Sequence, residues 1–88
     1  MNTTRFTFLT SNSEFINKLK EGKVPMTQQS DFVYDAHIPT YYESIFPNFI
    51  AEAANDTKAS VAVHIFYQDP GTGESSAAMI MFYEGKWL

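Results

Sequence analysis

Hydrophobic and polar positions alternate, or recur at helical spacing, along most of the chain, and each change of period predicts an element. In Arg5-Phe6-Thr7-Phe8-Leu9-Thr10, Phe6 and Phe8 share one face of a short strand. Ser11-Asn12-Ser13-Glu14 then has the spacing of a capping box, in which serine and glutamate each satisfy a backbone donor at a helix start. Phe15, Ile16 and Leu19 form an apolar stripe, Lys18 and Lys20 sit in the last turn, and Gly22 is a stop. A helix is expected over 11–21.

The stretch 23–31 is polar, contains Pro25 and has no usable period, which predicts a loop. From Phe32 to Ile38 the pattern alternates again: Phe32, Tyr34, Ala36 and Ile38 on one face, Val33, Asp35 and His37 on the other. This predicts a half-buried strand. Thr40 and Glu43 repeat the capping-box spacing. Tyr42, Ile45, Phe46, Phe49, Ile50 and Ala53 then recur at helical spacing, with Pro47 inside the pattern, so a helical segment over 40–55 is expected to break there.

The last third is the clearest part of the chain. Val61, Val63, Ile65 and Tyr67 alternate with Ala62, His64, Phe66 and Gln68. The turn-forming run Asp69-Pro70-Gly71-Thr72-Gly73-Glu74 follows, and residues 76–83 read as a returning strand. Met79 and Met81 share a face and are expected in the core. Residues 84–88 read as a turn with an apolar end, Trp87 plugging the core. The element order is β-α-β-α-β-β. The expected architecture is a small single α+β domain over 1–88: a four-stranded mixed sheet, both helices on one face, and a C-terminal antiparallel hairpin.

Composition supports a folded domain without staples. Eight Phe, five Tyr and one Trp make 16% of the residues, and there is no cysteine, so disulfides and thiolate metal sites are excluded. No apolar run approaches the roughly 20 residues of a membrane span, and the first residues lack the order of a signal peptide. A cytoplasmic location is the expectation. The glycosylation-like triplets beginning at Asn2 and Asn55 are read as chance on the same ground.

Charge separates along the chain more than its net −4 suggests. Residues 31–57 carry Asp31, Asp35, Glu43, Glu52 and Asp56 and no Lys or Arg, whereas residues 1–30 carry four cations against two carboxylates. Direct nucleic-acid binding, which needs a basic stripe, is disfavoured. The acidic block also holds Tyr41, and tyrosine is enriched at interface hot spots. The expected function is therefore non-enzymatic: a small acidic protein that engages and inhibits a basic, nucleic-acid-binding protein by mimicking phosphate charge, in the manner of phage or mobile-element antagonists. Its expected contact residues are Asp31, Asp35, Tyr41, Glu43, Glu52 and Asp56, with no cofactor and no metal.

Two alternatives differ in kind. One is a self-associating homo-oligomer or assembly subunit that uses the C-terminal hairpin or a sheet edge. The other is a small enzyme or metal domain built on Asp35, His37 and His64, which would converge if their strands were neighbours. Gly71-Thr72-Gly73-Glu74-Ser75 lacks the lysine and the strand-to-helix setting of a phosphate loop and is read as a turn. No nucleophile elbow is present.

Overall fold

The computed structural model describes residues 3–68 and 71–88. The chain runs β1 (Thr3–Leu9), α1 (Ser13–Glu21), β2 (Met26–Ser30), β3 (Val33–Pro39), a 3-10 turn (Thr40–Tyr42), α2 (Phe46–Thr57), β4 (Val61–Gln68), β5 (Ser75–Tyr83) and β6 (Lys86–Trp87). The strands form one six-stranded sheet in the order β2-β3-β1-β4-β5-β6, and every neighbouring pair is antiparallel. The domain is α+β with two helices, as the order of periods predicts.

The expected four-stranded mixed sheet is corrected in two respects: it has six strands and it is antiparallel throughout. Its order, which the sequence left open, places no crossover between adjacent strands. Each helix links two strands that run parallel with a third inserted between them: β3 lies between β1 and β2, and β1 lies between β3 and β4. β2 falls within the expected loop. Its Thr-Gln-Gln-Ser run carries no apolar period because all four side chains are exposed; its order comes from the ladder with β3, and only Met26 reaches the core. β6 is two residues long, closed by a tight turn in which Glu84 and Gly85 both have positive φ.

The core lies between the helices and one face of the sheet. Phe6 and Phe8 of β1, Ala36 and Ile38 of β3, Val61, Val63 and Ile65 of β4, and Phe82 of β5 face Phe15, Ile16 and Leu19 of α1 and Phe46, Ile50, Ala53 and Ala54 of α2. Phe46 meets Phe6 edge-on at 4.7 Å between centroids, and Phe15 meets Phe8 at 5.9 Å. The alternation expected in β1, β3 and β4 matches this face, and the β4–β5 hairpin pairs without a register shift from Val61↔Phe82 to Gln68↔Ser75. Asp69 and Pro70, the start of its expected turn, lie outside the described residues, as does Asn2.

Several local expectations change once packing is considered. Asn12, not Ser11, caps α1, its side chain accepting from the Phe15 amide. Gly22 has an ordinary negative φ, and its place in the chain is steric, since a Cβ there would lie 2.3 Å from the Phe49 ring. α2 begins at Phe46 with Pro47 in its first turn, where a missing N–H costs nothing. Phe32 lies in the β2–β3 turn and is exposed, and Trp87 packs on Phe82 at 5.3 Å while half of it stays in solvent.

Candidate interaction surface

Both helices cover the same face of the sheet, and among the described residues the other face is bare. Three cross-strand rows make up its centre. Val33, Leu9, Ala62 and Met81 form one, Asp35, Thr7, His64 and Met79 the next, and His37, Arg5, Phe66 and Ala77 the third. Tyr83 extends the surface along β5. Exposure of its large apolar side chains is high: Leu9 42%, Phe66 36%, Met79 57%, Met81 44% and Tyr83 59%. Met79 and Met81 are therefore surface residues, against the expectation that they pack in the core. They alternate with Ile80 and Phe82, which do face the helices.

Polar groups on this face are tied into it. Thr7 Oγ1 donates to Asp35 Oδ1 at 2.7 Å across β1 and β3. The Arg5 guanidinium lies 4.3 Å from the Phe66 ring centroid, an exposed cation–π contact worth about 0.5–1 kcal/mol. His64 stacks parallel to Phe66 at 6.2 Å. The result is a surface with an apolar flank along β4 and β5 and a small, nearly balanced set of charges towards β1 and β3.

The metal alternative loses its geometry here. β1 runs between β3 and β4, so Asp35 and His64 stand on either side of Thr7, two strand spacings or about 10 Å apart. Asp35 is held by Thr7, and among the described residues no group of three His, Cys, Asp or Glu side chains could hold a metal ion. Asp35, His37 and His64 share a face, as their alternation suggests, without forming a ligand set.

The six residues expected to bind a basic partner are spread over the molecule. Asp31 lies in the β2–β3 turn, while Tyr41 and Glu43 lie beyond the opposite end of β3, about 20 Å away along the strand. Asp35 lies on the bare face. Glu52 and Asp56 lie one turn apart on exposed positions of α2, across the sheet from Asp35, and Asp56 pairs with Lys18 of α1 at 3.8 Å. The structure thus brings together Tyr41 with Glu43, and Glu52 with Asp56, but not the six as one surface.

Glu43 has an internal partner. It accepts a hydrogen bond from the buried Thr4 hydroxyl at 2.5 Å and lies near the Tyr67 phenol, whose pKa is raised first by burial and then by this carboxylate. Tyr41 is 71% exposed and packs against Tyr42, ring centroids 4.6 Å apart. Next to this pair, Val24, Pro25, Ile38, Pro39, Ile45 and Phe49 line an open apolar groove of about 420 Å³. Ile45 and Tyr42, expected in the core stripe of the second helix, sit on the rim of that groove and are about half exposed.

One signal for the bare face was available in the pattern. With both helices on the Val61–Val63–Ile65 face, the alternate residues Ala62, His64 and Phe66, and their hairpin partners Met81, Met79 and Ala77, have no element left to cover them. Leu9 is the exception, because a single apolar residue at the end of β1 belongs to no stripe. Compared with family models, curated proteins and solved structures, the chain matches none of them. No helix among the described residues is long and apolar enough to cross a membrane.

Proposed function

We propose that this protein is a non-enzymatic binding module whose macromolecular partner docks on the bare face of the sheet. The observation that carries this reading is the apolar surface of Leu9, Phe66, Met79, Met81 and Tyr83 on a sheet face that no helix covers. A contiguous exposed apolar patch with a polar margin is characteristic of protein interaction sites. Methionines adapt to a partner's contour, and a ring such as Phe66, already oriented by Arg5 and His64, loses little freedom on binding.

A second reading keeps the expectation from charge: a small acidic antagonist that occupies a basic, nucleic-acid-binding surface. It is supported by Glu52 and Asp56, exposed one turn apart on α2, in a stretch of chain without Lys or Arg. The two readings use opposite sides of the molecule. Affinity capture with variants of each side, at low and high salt, separates them: apolar docking depends on Leu9 and Phe66 and survives salt, whereas charge mimicry depends on Glu52 and Asp56 and is screened.

A further inference from the structure

We propose that two copies of this chain pair through β5, antiparallel about a two-fold axis at Ala77, and join their sheets into one. β5 is nine residues long, yet β6 covers only Phe82 and Tyr83, and the Leu88 amide adds one bond to the Met81 carbonyl at 2.9 Å. Among the described residues nothing pairs with the outer edge of Ser75–Ile80, and Ser75 through Met79 are exposed. Successive residues of an antiparallel strand aim their backbone groups at alternate neighbours. Since the Met81 carbonyl points outwards to Leu88, the N–H and C=O groups of Met79, Ala77 and Ser75 point outwards too.

The two edges of the sheet are managed differently. β2 is short and polar, follows Pro25, and its register shifts between Gln28 and Ser30, all features that discourage pairing with another chain. β5 has none of these. From Ser75 to Tyr83 it contains no charged residue and no proline, and its ladder to β4 is unbroken. Its Ala77–Tyr83 run is uncharged and apolar, the kind of segment that aggregates when its edge stays open.

A second copy fits this edge in a defined register. With the axis at Ala77, each Ala77 opposes the partner's Ala77, and each Ser75 opposes the partner's Met79. These are the residues whose backbone groups point outwards, so every such pair can exchange N–H···O=C bonds. On the helix side Ser76 opposes the partner's Ala78. These pairs are small or flexible and do not resist approach to the ~4.8 Å strand spacing. Each chain carries a net charge of −4, but no charge lies on the strip itself, so no like charges meet across the axis. A two-fold pair closes both open β5 edges at once and leaves the polar β2 edges and the two-residue β6 strands outside. The ladder uses the backbone of Ala77 and Met79 and leaves their side chains on the bare face, so the pairing does not cover that face and does not rest on the docking reading.

Sedimentation equilibrium on the full chain, with Ala77→Pro and Ala77→Lys variants, tests it. The wild type is expected to be a dimer. Ala77→Pro removes a donor that points away from β4, keeps the internal ladder, and should weaken the dimer by roughly tenfold or more through two lost bonds. Ala77→Lys opposes two cations at the axis and should weaken it in a salt-dependent way, and this variant decides the matter if the proline variant fails to fold. A wild type that stays monomeric at millimolar concentration overturns the proposal, as does a dimer unaffected by Ala77→Lys.

Discussion

The Thr4 hydroxyl, 2% exposed at the start of β1, donates to the Glu43 carboxylate between the 3-10 turn and α2. This bond ties the β3–α2 connection to the central strand across 39 positions of sequence. It gives Glu43 a structural task that its position in the acidic stretch does not reveal.

Thr4→Val keeps the shape of the side chain but leaves Glu43 without its donor. A hydrogen bond to a charged group contributes about 1.5–3 kcal/mol, and Glu43 retains some access to water, so a loss of about 1–2 kcal/mol is expected. Urea denaturation of the variant should show a lower midpoint with an unchanged slope. An unchanged midpoint would mean that the bond does not contribute.

The same carboxylate shapes behaviour at high pH. Burial, then the charge of Glu43, raises the Tyr67 pKa above its usual value near 10. Between the unfolded and folded pKa the folded state holds the proton that the unfolded state has lost. Stability therefore falls as pH rises above about 10 and stops falling once both states are ionised. Spectrophotometric titration, with Tyr67→Phe identifying the transition, should show Glu43→Gln moving the Tyr67 transition to lower pH.

Two glycines should respond differently to substitution by alanine. At Gly85, φ is +86° and a Cβ would lie 2.9 Å from the Ala54 carbonyl oxygen, a backbone atom. At Gly22 the backbone is unstrained and the obstacle is the tip of the Phe49 ring, which can shift into the neighbouring groove. Gly85→Ala should cost about 2–3 kcal/mol and Gly22→Ala about 1 kcal/mol or less. Thermal unfolding of both variants checks the order, and the reverse order would show that the Phe49 contact is the tighter one.

The parts of the fold that could be read from residue order are those where periodicity and packing agree. Phe6 and Phe8 and the alternation in β3 and β4 bury the face that their pattern marks, and the β4–β5 hairpin pairs as its turn and strands predict. β2 could not be read this way, because Thr27, Gln28, Gln29 and Ser30 are held by backbone pairing with β3 and not by side-chain burial. Met79 and Met81 misled because hydrophobicity alone does not say which face of a sheet the helices cover. The acidic stretch does not form one surface for a related reason: contiguity along the chain is not contiguity in space, and β3 separates Asp31 from Tyr41 by its full length.

The bare face itself should tolerate polar substitution. Leu9 and Phe66 are partly in solvent and lie outside the core, so Leu9→Gln with Phe66→Gln should change stability by no more than about 1 kcal/mol, most of it the lost Arg5–Phe66 contact. Neither residue lies on the outer edge of β5, and the double variant should associate with itself as the wild type does.

The most direct test of the docking face is quantitative affinity capture from source-cell lysate with three baits: the wild type, Leu9→Gln/Phe66→Gln, and Glu52→Gln/Asp56→Asn. The bare-face account predicts a partner retained by the wild type and by the α2 variant at both low and high salt, and lost by the Leu9/Phe66 variant. A partner that the Leu9/Phe66 variant still captures, and that is lost with the α2 variant or with salt, would contradict it and place the binding surface on the acidic side of α2.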